Sequence, residues 1–209
     1  MSALATVAHA RPALAAFGAM GVLWGTFAAV LPDLKAMLAV DERQLGLLIF
    51  CTPIAAITAM MLAPRFGAAM GRGALPLSVG LMALAFALPG QVAVVWVFPL
   101  AMACAGAATG LTDVLMNARV AAMETSRGVH LMNLTHAVYS FGYAGGAVLT
   151  GLMRGAGWGP GWVMATMAGL ALVGALLTLE RDGRIEGLRK PRDGSAVPLG
   201  VVPVIGGGI

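Results

Sequence analysis

Long apolar stretches without charged residues alternate with short polar segments along most of this sequence. The first two stretches are residues 13–31 and 45–63. Each has about the 20 residues that an α-helix needs to cross a hydrocarbon core of about 30 Å. Asp41 and Gln44, just before the second stretch, have the spacing of a capping box, which predicts that a helix begins there.

The remaining apolar stretches divide into four more predicted helices. Residues 73–112 contain no charged side chain and are too long for one crossing. The sequence Pro89-Gly90-Gln91 predicts a turn near the middle, which separates a third helix from a fourth. Residues 131–153 and 160–179 form the fifth and sixth, with a glycine-rich turn between them. The pattern predicts an all-α integral membrane protein with six transmembrane helices.

Composition excludes the other broad classes of protein. Of the 209 residues, 59% are apolar and 11% are charged, whereas soluble domains have roughly 45–50% apolar and about 25% charged residues. Disordered chains are poor in apolar residues, so disorder is excluded too. The net charge is only +4 and the sequence has no basic stripe, which argues against a nucleic-acid partner.

The distribution of basic residues predicts the orientation and the domain boundaries. If the N-terminus is cytoplasmic, only Lys35, Arg43 and Arg154 of the 13 basic residues lie outside, as the positive-inside rule requires. We therefore expect a cytoplasmic N-terminus (1–12), a six-helix bundle (13–180), a cytoplasmic linker (181–195) and a truncated start of a seventh helix (196–209). This division predicts that the sequence is a fragment.

Glycine pairs and cysteines inside the spans have structural interpretations. Gly21 with Gly25, and Gly106 with Gly110, have the G-x-x-x-G spacing that lets membrane helices approach closely. Two cysteines within spans exclude an extracellular disulfide framework, and no spacing indicates zinc. We expect two buried, inert thiols and neither a metal nor a cofactor.

Asp113 is the acidic residue in the predicted fourth helix. It shares one stripe of that helix with Gly106, Gly110 and Asn117. A carboxylate at the centre of a membrane helix costs at least about 2.5 kcal/mol, so this stripe does not face lipid. Asp113 lines the bundle interior or a water-filled cavity if the helix begins late, or lies near the cytoplasmic boundary if the helix begins at Val92.

A polar row marks the predicted fifth helix. Lipid supplies no hydrogen-bond partner, so such a row indicates a cavity lining more than packing, although a single histidine is often a packing residue. The row consists of Asn133, His136, Tyr139, Ser140 and Tyr143.

The sequence allows two interpretations for the position of Asp33 and two for the role of Trp24. Asp33 is an ordinary loop carboxylate if the helix ends at Pro32, and lines an outer cavity if the helix continues past the proline. Trp24 either lines the cavity or packs against other helices.

The order of these motifs resembles the major facilitator superfamily, in particular its bacterial branch related to fucose permease-like sugar–proton symporters. The first-helix matches are Gly21-Val-Leu-Trp24-Gly25 and Leu31-Pro32-Asp33-Leu-Lys35, followed by Gln44-Leu-Gly46. The later matches are Thr112-Asp113-Val-Leu-Met116-Asn117, Leu131-Met132-Asn133, His136-Ala137 and Ser140-Phe-Gly142.

The resemblance implies the N-terminal half of a twelve-helix alternating-access transporter in the bacterial inner membrane. Its partners would be a proton, a small polar solute such as a sugar, moved inward or outward, and the missing C-terminal six-helix half. Asp33 and Asp113 match the two acidic positions that handle proton and sugar, although the second is a glutamate in the fucose permease. Of the family's loop motif between the second and third helices, only Leu62-Ala63, Arg65 and Gly67 remain, with Pro64 in the place of the acid.

Two other functions are weighed against a transporter. A six-helix channel or a homodimeric carrier would use the same spans. An intramembrane enzyme could use His136 and Ser140 as a base and a nucleophile, but no third orienting acid is nearby and no catalytic motif occurs. We therefore do not expect an enzyme. A six-helix half would hold only half a transport site, because such sites lie between repeats.

Overall fold

The structure, a computed structural model, describes residues 3–181, 183 and 185. This part of the chain is 85% helical and contains no strand. Its α-helices are α1 (Ala3–Leu38), α2 (Glu42–Ile49), α3 (Cys51–Met70), α4 (Ala74–Ala87), α5 (Phe98–Arg127), α6 (Met132–Gly155) and α7 (Pro160–Leu176). The predicted all-α class is confirmed for these residues. Apart from residues 181, 183 and 185, the predicted linker and seventh helix lie outside them.

Helices α2 and α3 form one nearly continuous segment. Phe50 is both the C-cap of α2 and the N-cap of α3, and its backbone angles are helical. The predicted capping box at the start of α2 is confirmed: the Asp41 carboxylate accepts the Gln44 N–H at 2.7 Å, and the Gln44 side chain accepts the Asp41 N–H at 3.0 Å.

Helix α1 is longer than the sequence pattern predicts. It continues through Pro32 to Leu38, seven positions past the predicted end, so the loop interpretation of Asp33 is wrong. A proline removes one helical hydrogen bond, and membrane helices tolerate this where a neighbour satisfies the backbone. Arg154 of α6 binds this turn of α1, since its Nη1 donates to the carbonyl of Ala29 at 3.0 Å, next to the Ala28 carbonyl that Pro32 leaves without a helical donor.

The fourth predicted helix begins later than Val92. The turn at Pro89–Gln91 is confirmed as a single 3₁₀ turn, but Val92 has extended backbone angles and α5 starts only at Phe98. Residues 92–97 include four valines, whose branched side chains disfavour helix. Pro99 then occupies the first turn of α5, a position where its missing N–H costs nothing.

Two pairs of parallel helices are held together by the predicted glycines. In the α1–α6 pair, a Cβ atom at Gly21 would lie 2.2 Å from the Tyr139 carbonyl oxygen, and one at Gly25 would lie 2.0 Å from that of Tyr143. In the α3–α5 pair, Cβ atoms at Gly106 and Gly110 would each lie 2.2 Å from a carbonyl oxygen of α3. The close packing predicted from both G-x-x-x-G pairs is confirmed.

Contacts at the two ends show that successive long helical segments run in opposite directions. At one end, Arg11 donates to the carbonyl of Leu179 at 2.7 Å, and Arg119 binds Glu180 through two hydrogen bonds of 3.0 Å. At the other end, Asp33 binds Arg154, and the Gln91 amide donates to Gly161 at 2.9 Å. The start of α1 and the end of α7 therefore lie at the same end of the bundle.

The outer surface of the bundle is strongly apolar. Three helical segments in the described part of the chain, residues 8–38, 42–91 and 98–127, are long and apolar enough to cross a membrane. Large apolar side chains such as Ile57, Leu84 and Leu170 are exposed on them or on α7. The expectation of two buried thiols is wrong for Cys104, which is exposed, whereas Cys51 is half-buried and contacts the Pro99 carbonyl.

Candidate functional site

Asp113 lies at the middle of the 30-residue helix α5. It follows the first residue of that helix by about 22 Å at 1.5 Å per residue. The late start of α5 therefore places Asp113 deep along the helix and not at its end. Its side chain is half-buried in the structure.

The hydrogen bond to the Asp113 carboxylate comes from its own helix, and α6 supplies titratable neighbours within electrostatic range. The Asn117 amide donates to the Asp113 carboxylate at 3.2 Å and to its carbonyl oxygen at 2.9 Å. His136 and Tyr139 of α6 are electrostatic neighbours of the carboxylate. The structure thus brings together the stripe predicted on the fourth helix and the row predicted on the fifth.

His136 has a fixed orientation within this site. Its Nδ1 lies 2.9 Å from the carbonyl oxygen of Met132. A carbonyl only accepts, so Nδ1 carries the hydrogen and Nε2 is left to accept a proton or a hydrogen bond. The ring also packs against Phe17 of α1, with centroids 5.1 Å apart. The side chain remains exposed on the open side of α6.

The rest of the predicted row shares that open face. Asn133, Ser140 and Tyr143 are exposed, and Tyr139 is half-buried beside them. Ser140 donates to the His136 carbonyl at 3.0 Å, so its hydroxyl has a partner within α6. The rings of Tyr139 and Tyr143 lie 6.3 Å apart. An exposed polar face therefore runs along an otherwise apolar bundle next to Asp113.

Trp24 belongs to an aromatic cluster. Its ring makes edge-to-face contacts with Phe27 at 5.7 Å and Phe86 at 5.2 Å. It is half-buried against the core. These contacts favour the packing interpretation of Trp24.

Asp33 does not lie with Asp113 but at the far end of α1. Its carboxylate accepts two hydrogen bonds from the Arg154 guanidinium, one of them at 2.9 Å, and both side chains are about one third exposed. Sequence reasoning missed Arg154. One signal was available, because both residues were predicted at the outer ends of their helices with opposite charges.

The residues of the predicted loop motif lie in a helix. Arg65 and Gly67 are both inside α3, which continues through Pro64 to Met70, so the loop assignment is wrong. Arg65 is exposed and Gly67 is buried. The helix ends after Met70, where Gly71 has a positive φ of 56° that residues with a side chain rarely adopt.

A second ion pair was also missed. Arg119 of α5 and Glu180 after α7 are both largely buried, with side chains 14% and 16% exposed. The described residues contain no cluster of three or more metal-ligating side chains. What the site offers chemically is one carboxylate, one imidazole, amides and phenols on an open polar face.

Comparison with known proteins gives one informative match. The chain is 32% identical over 192 residues to an uncharacterised MFS-type transporter of Yersinia pestis. The match covers 90% of this chain but 48% of that protein, so the chain spans about half the length of the curated relative it matches. No family model matches the chain, and no solved structure matches it. Sequence similarity to a transporter and the apolar helices together suggest a multi-pass membrane protein.

Proposed function

We propose that the chain is one six-helix bundle of a major facilitator secondary transporter. It moves a small polar solute such as a sugar, inward or outward, in exchange with or together with protons. The observation that carries the proposal is the half-buried Asp113 at mid-helix, beside the exposed polar face of α6. Exposing these polar side chains to lipid would cost free energy, so the face is expected to border water or protein.

Six crossings are supported by the connectivity. The α2–α3 segment counts as one crossing because it is nearly continuous, and the other five α-helices then bring the count to six. An even number of crossings returns the chain to its starting side, which agrees with the contact between Arg11 and Leu179. We place these ends, with Arg72 and Arg127, on the cytoplasmic side of a bacterial inner membrane.

Asp113 is proposed as the proton-coupling carboxylate. The proton affinity of a carboxylate depends on its hydration, so a cavity that opens alternately to each side can load and unload it. His136, with Nε2 unoccupied by the helix, is the neighbour that can share that proton or bind the solute. Asn117 keeps the carboxylate oriented, while Asn133, Ser140, Tyr139 and Tyr143 supply further polar contacts to the solute.

Asp33 has a different proposed part. Because it is bound to Arg154, we propose that it contributes to coupling only as an ion pair that holds the outer ends of α1 and α6 together. Trp24 is proposed to pack against Phe27 and Phe86 at the border of the cavity.

The proposed site is completed by a second six-helix bundle. Sites in such transporters lie between repeats, and the exposed face of α6 is the face that would meet the second bundle. The relative from Yersinia pestis is about twice as long as the matched region, which agrees with this arrangement. We expect the 209-residue chain by itself not to transport.

The direct test neutralises Asp113 in the protein expressed from its natural gene. Vesicles are screened with a panel of sugars, and uptake driven by a pH gradient is compared with exchange of labelled solute at equal pH. In Asp113→Asn, we expect gradient-driven uptake to fall to the level of empty vesicles while exchange persists. Glu42→Gln, which removes an exposed carboxylate, is the control and retains both activities. Unchanged gradient-driven uptake in Asp113→Asn would refute the coupling role.

A further inference from the structure

A groove of about 390 Å³ lies between α4 and α7, away from the polar face of α6. Its lining is apolar and includes Pro76, Gly80, Leu172, Leu176 and Leu179. Gly80 leaves space at its inner wall, since a Cβ atom there would lie 3.7 Å from a Leu172 methyl group. The three leucines are between 42% and 65% exposed, so the groove opens to the surroundings of the bundle.

One end of this groove has a basic rim. Arg11 donates to the carbonyl of Leu179, a lining residue, at 2.7 Å. Arg72 precedes the lining residue Pro76 by one helical turn, and Arg181 follows Leu179 by two positions. All three arginines are exposed. At this end of the groove, one arginine thus contacts a lining residue, and two more lie within a few positions of lining residues.

Among the described residues, the carboxylate next to Arg181 in sequence does not compensate the arginines. Glu180 lies between Leu179 and Arg181 in sequence, but its two oxygens already bind Arg119. Residues 182–194 carry four basic and three acidic side chains, so the segment after the rim adds a net charge of +1. The rim therefore favours an anionic group.

We propose that this groove binds one anionic phospholipid, with an acyl chain between α4 and α7 and the phosphate at Arg11, Arg72 and Arg181. Juxtamembrane basic clusters attract acidic headgroups, and the apolar slot fixes the chain that follows the headgroup. The apolar segment 196–209 is a poorer occupant because it has no acidic side chain for the rim. A second copy of the chain would place one basic rim against another.

The test measures lipid retention by the detergent-purified chain with native mass spectrometry. The probes are phosphatidylglycerol and phosphatidylcholine with identical acyl chains, and glycerol phosphate as a headgroup without a chain. We expect retention of phosphatidylglycerol above phosphatidylcholine, and no retention of glycerol phosphate. Arg72→Gln and Arg181→Gln should each lower retention of phosphatidylglycerol about fivefold. Arg127→Gln removes an exposed arginine at the same end of the bundle, away from the groove, and should have no effect.

A second variant tests the groove separately from the charge. Gly80→Leu fills the slot and should reduce retention of both lipids, whereas Gly169→Leu adds the same side chain at an open, exposed position and should not. Equal retention of both lipids by the unmodified chain, or an equal loss in Arg127→Gln, would overturn the proposal. So would tighter lipid retention after deletion of residues 196–209, because the groove would then hold the chain's own segment.

Discussion

Gly146→Ala is expected to destabilise the bundle, whereas Gly145→Ala at the adjacent position is not. A Cβ atom at Gly146 would lie 2.4 Å from the carbonyl oxygen of Val22, and backbone cannot move away without separating α1 from α6. At Gly145 a Cβ atom meets nothing within 4 Å. Overpacking costs typically 1–3 kcal/mol, so we expect Gly146→Ala to lose about 3 kcal/mol of unfolding free energy. Gly145→Ala should gain about 0.5–1 kcal/mol from helix propensity.

The unfolding free energies of the two variants are measured by titration with a denaturing detergent while helix content is monitored. Both substitutions add the same methyl group to the same helix, so propensity and hydrophobicity are matched. Equal stability of the two variants would mean that α1 and α6 do not approach as closely as described.

Arg154→Met is expected to destabilise the bundle and lower its unfolding temperature by several degrees. The expected loss is larger than for an exposed ion pair and smaller than for a fully buried one, because both partners are about one third exposed. The substitution also removes the donor to Ala29, one turn before the proline of α1. Thermal unfolding in detergent measures the loss.

The matched control is Lys35→Met. It removes a basic residue at the same end of the bundle, from an ion pair whose Glu42 side chain is 82% exposed, and should leave the unfolding temperature nearly unchanged. The double variant Asp33→Arg/Arg154→Asp should recover part of the stability lost in Arg154→Met. If Lys35→Met destabilised the bundle as much as Arg154→Met, the Asp33–Arg154 pair would contribute no more to stability than the exposed Lys35–Glu42 pair.

Features of the fold that depend on neighbouring residues were predictable from sequence. The capping box of Asp41 and Gln44 and the turn at Pro89 are decided within a few positions, and both are confirmed. The G-x-x-x-G pairs were recognisable because spacing alone puts two small residues on one face. Which carbonyls they contact was not predictable, since those belong to other helices.

Features that depend on distant residues were not predictable. Asp33 and Arg154 are separated by 121 positions, and Arg119 and Glu180 by 61. The sequence pattern, which does not show the first pair, predicts a helix end at Pro32, seven residues before the helix ends at Leu38. Arg65 was assigned to a loop by analogy, whereas the helix continues through it to Met70.

The candidate site was predicted in its parts and not in its assembly. The helical spacing identified the stripe of Asp113 and Asn117 and the row that contains His136. Their proximity depends on how α5 and α6 are placed around α1, which periodicity does not encode. The position of Asp113 at mid-helix depends on the valine-rich segment that delays the start of α5.

The central claim is that Asp113 is turned away from lipid, toward water or protein. The test attaches a nitroxide label to Asp113→Cys in a chain with Cys51→Ala and Cys104→Ala. In vesicles, the collision rates of the label with oxygen and with a water-soluble nickel complex measure whether the position faces lipid or water. Leu84, an exposed apolar residue of α4, is the labelled control that should favour oxygen. We expect position 113 to collide with the nickel complex more, relative to oxygen, than position 84. The same oxygen preference at both positions would contradict the account.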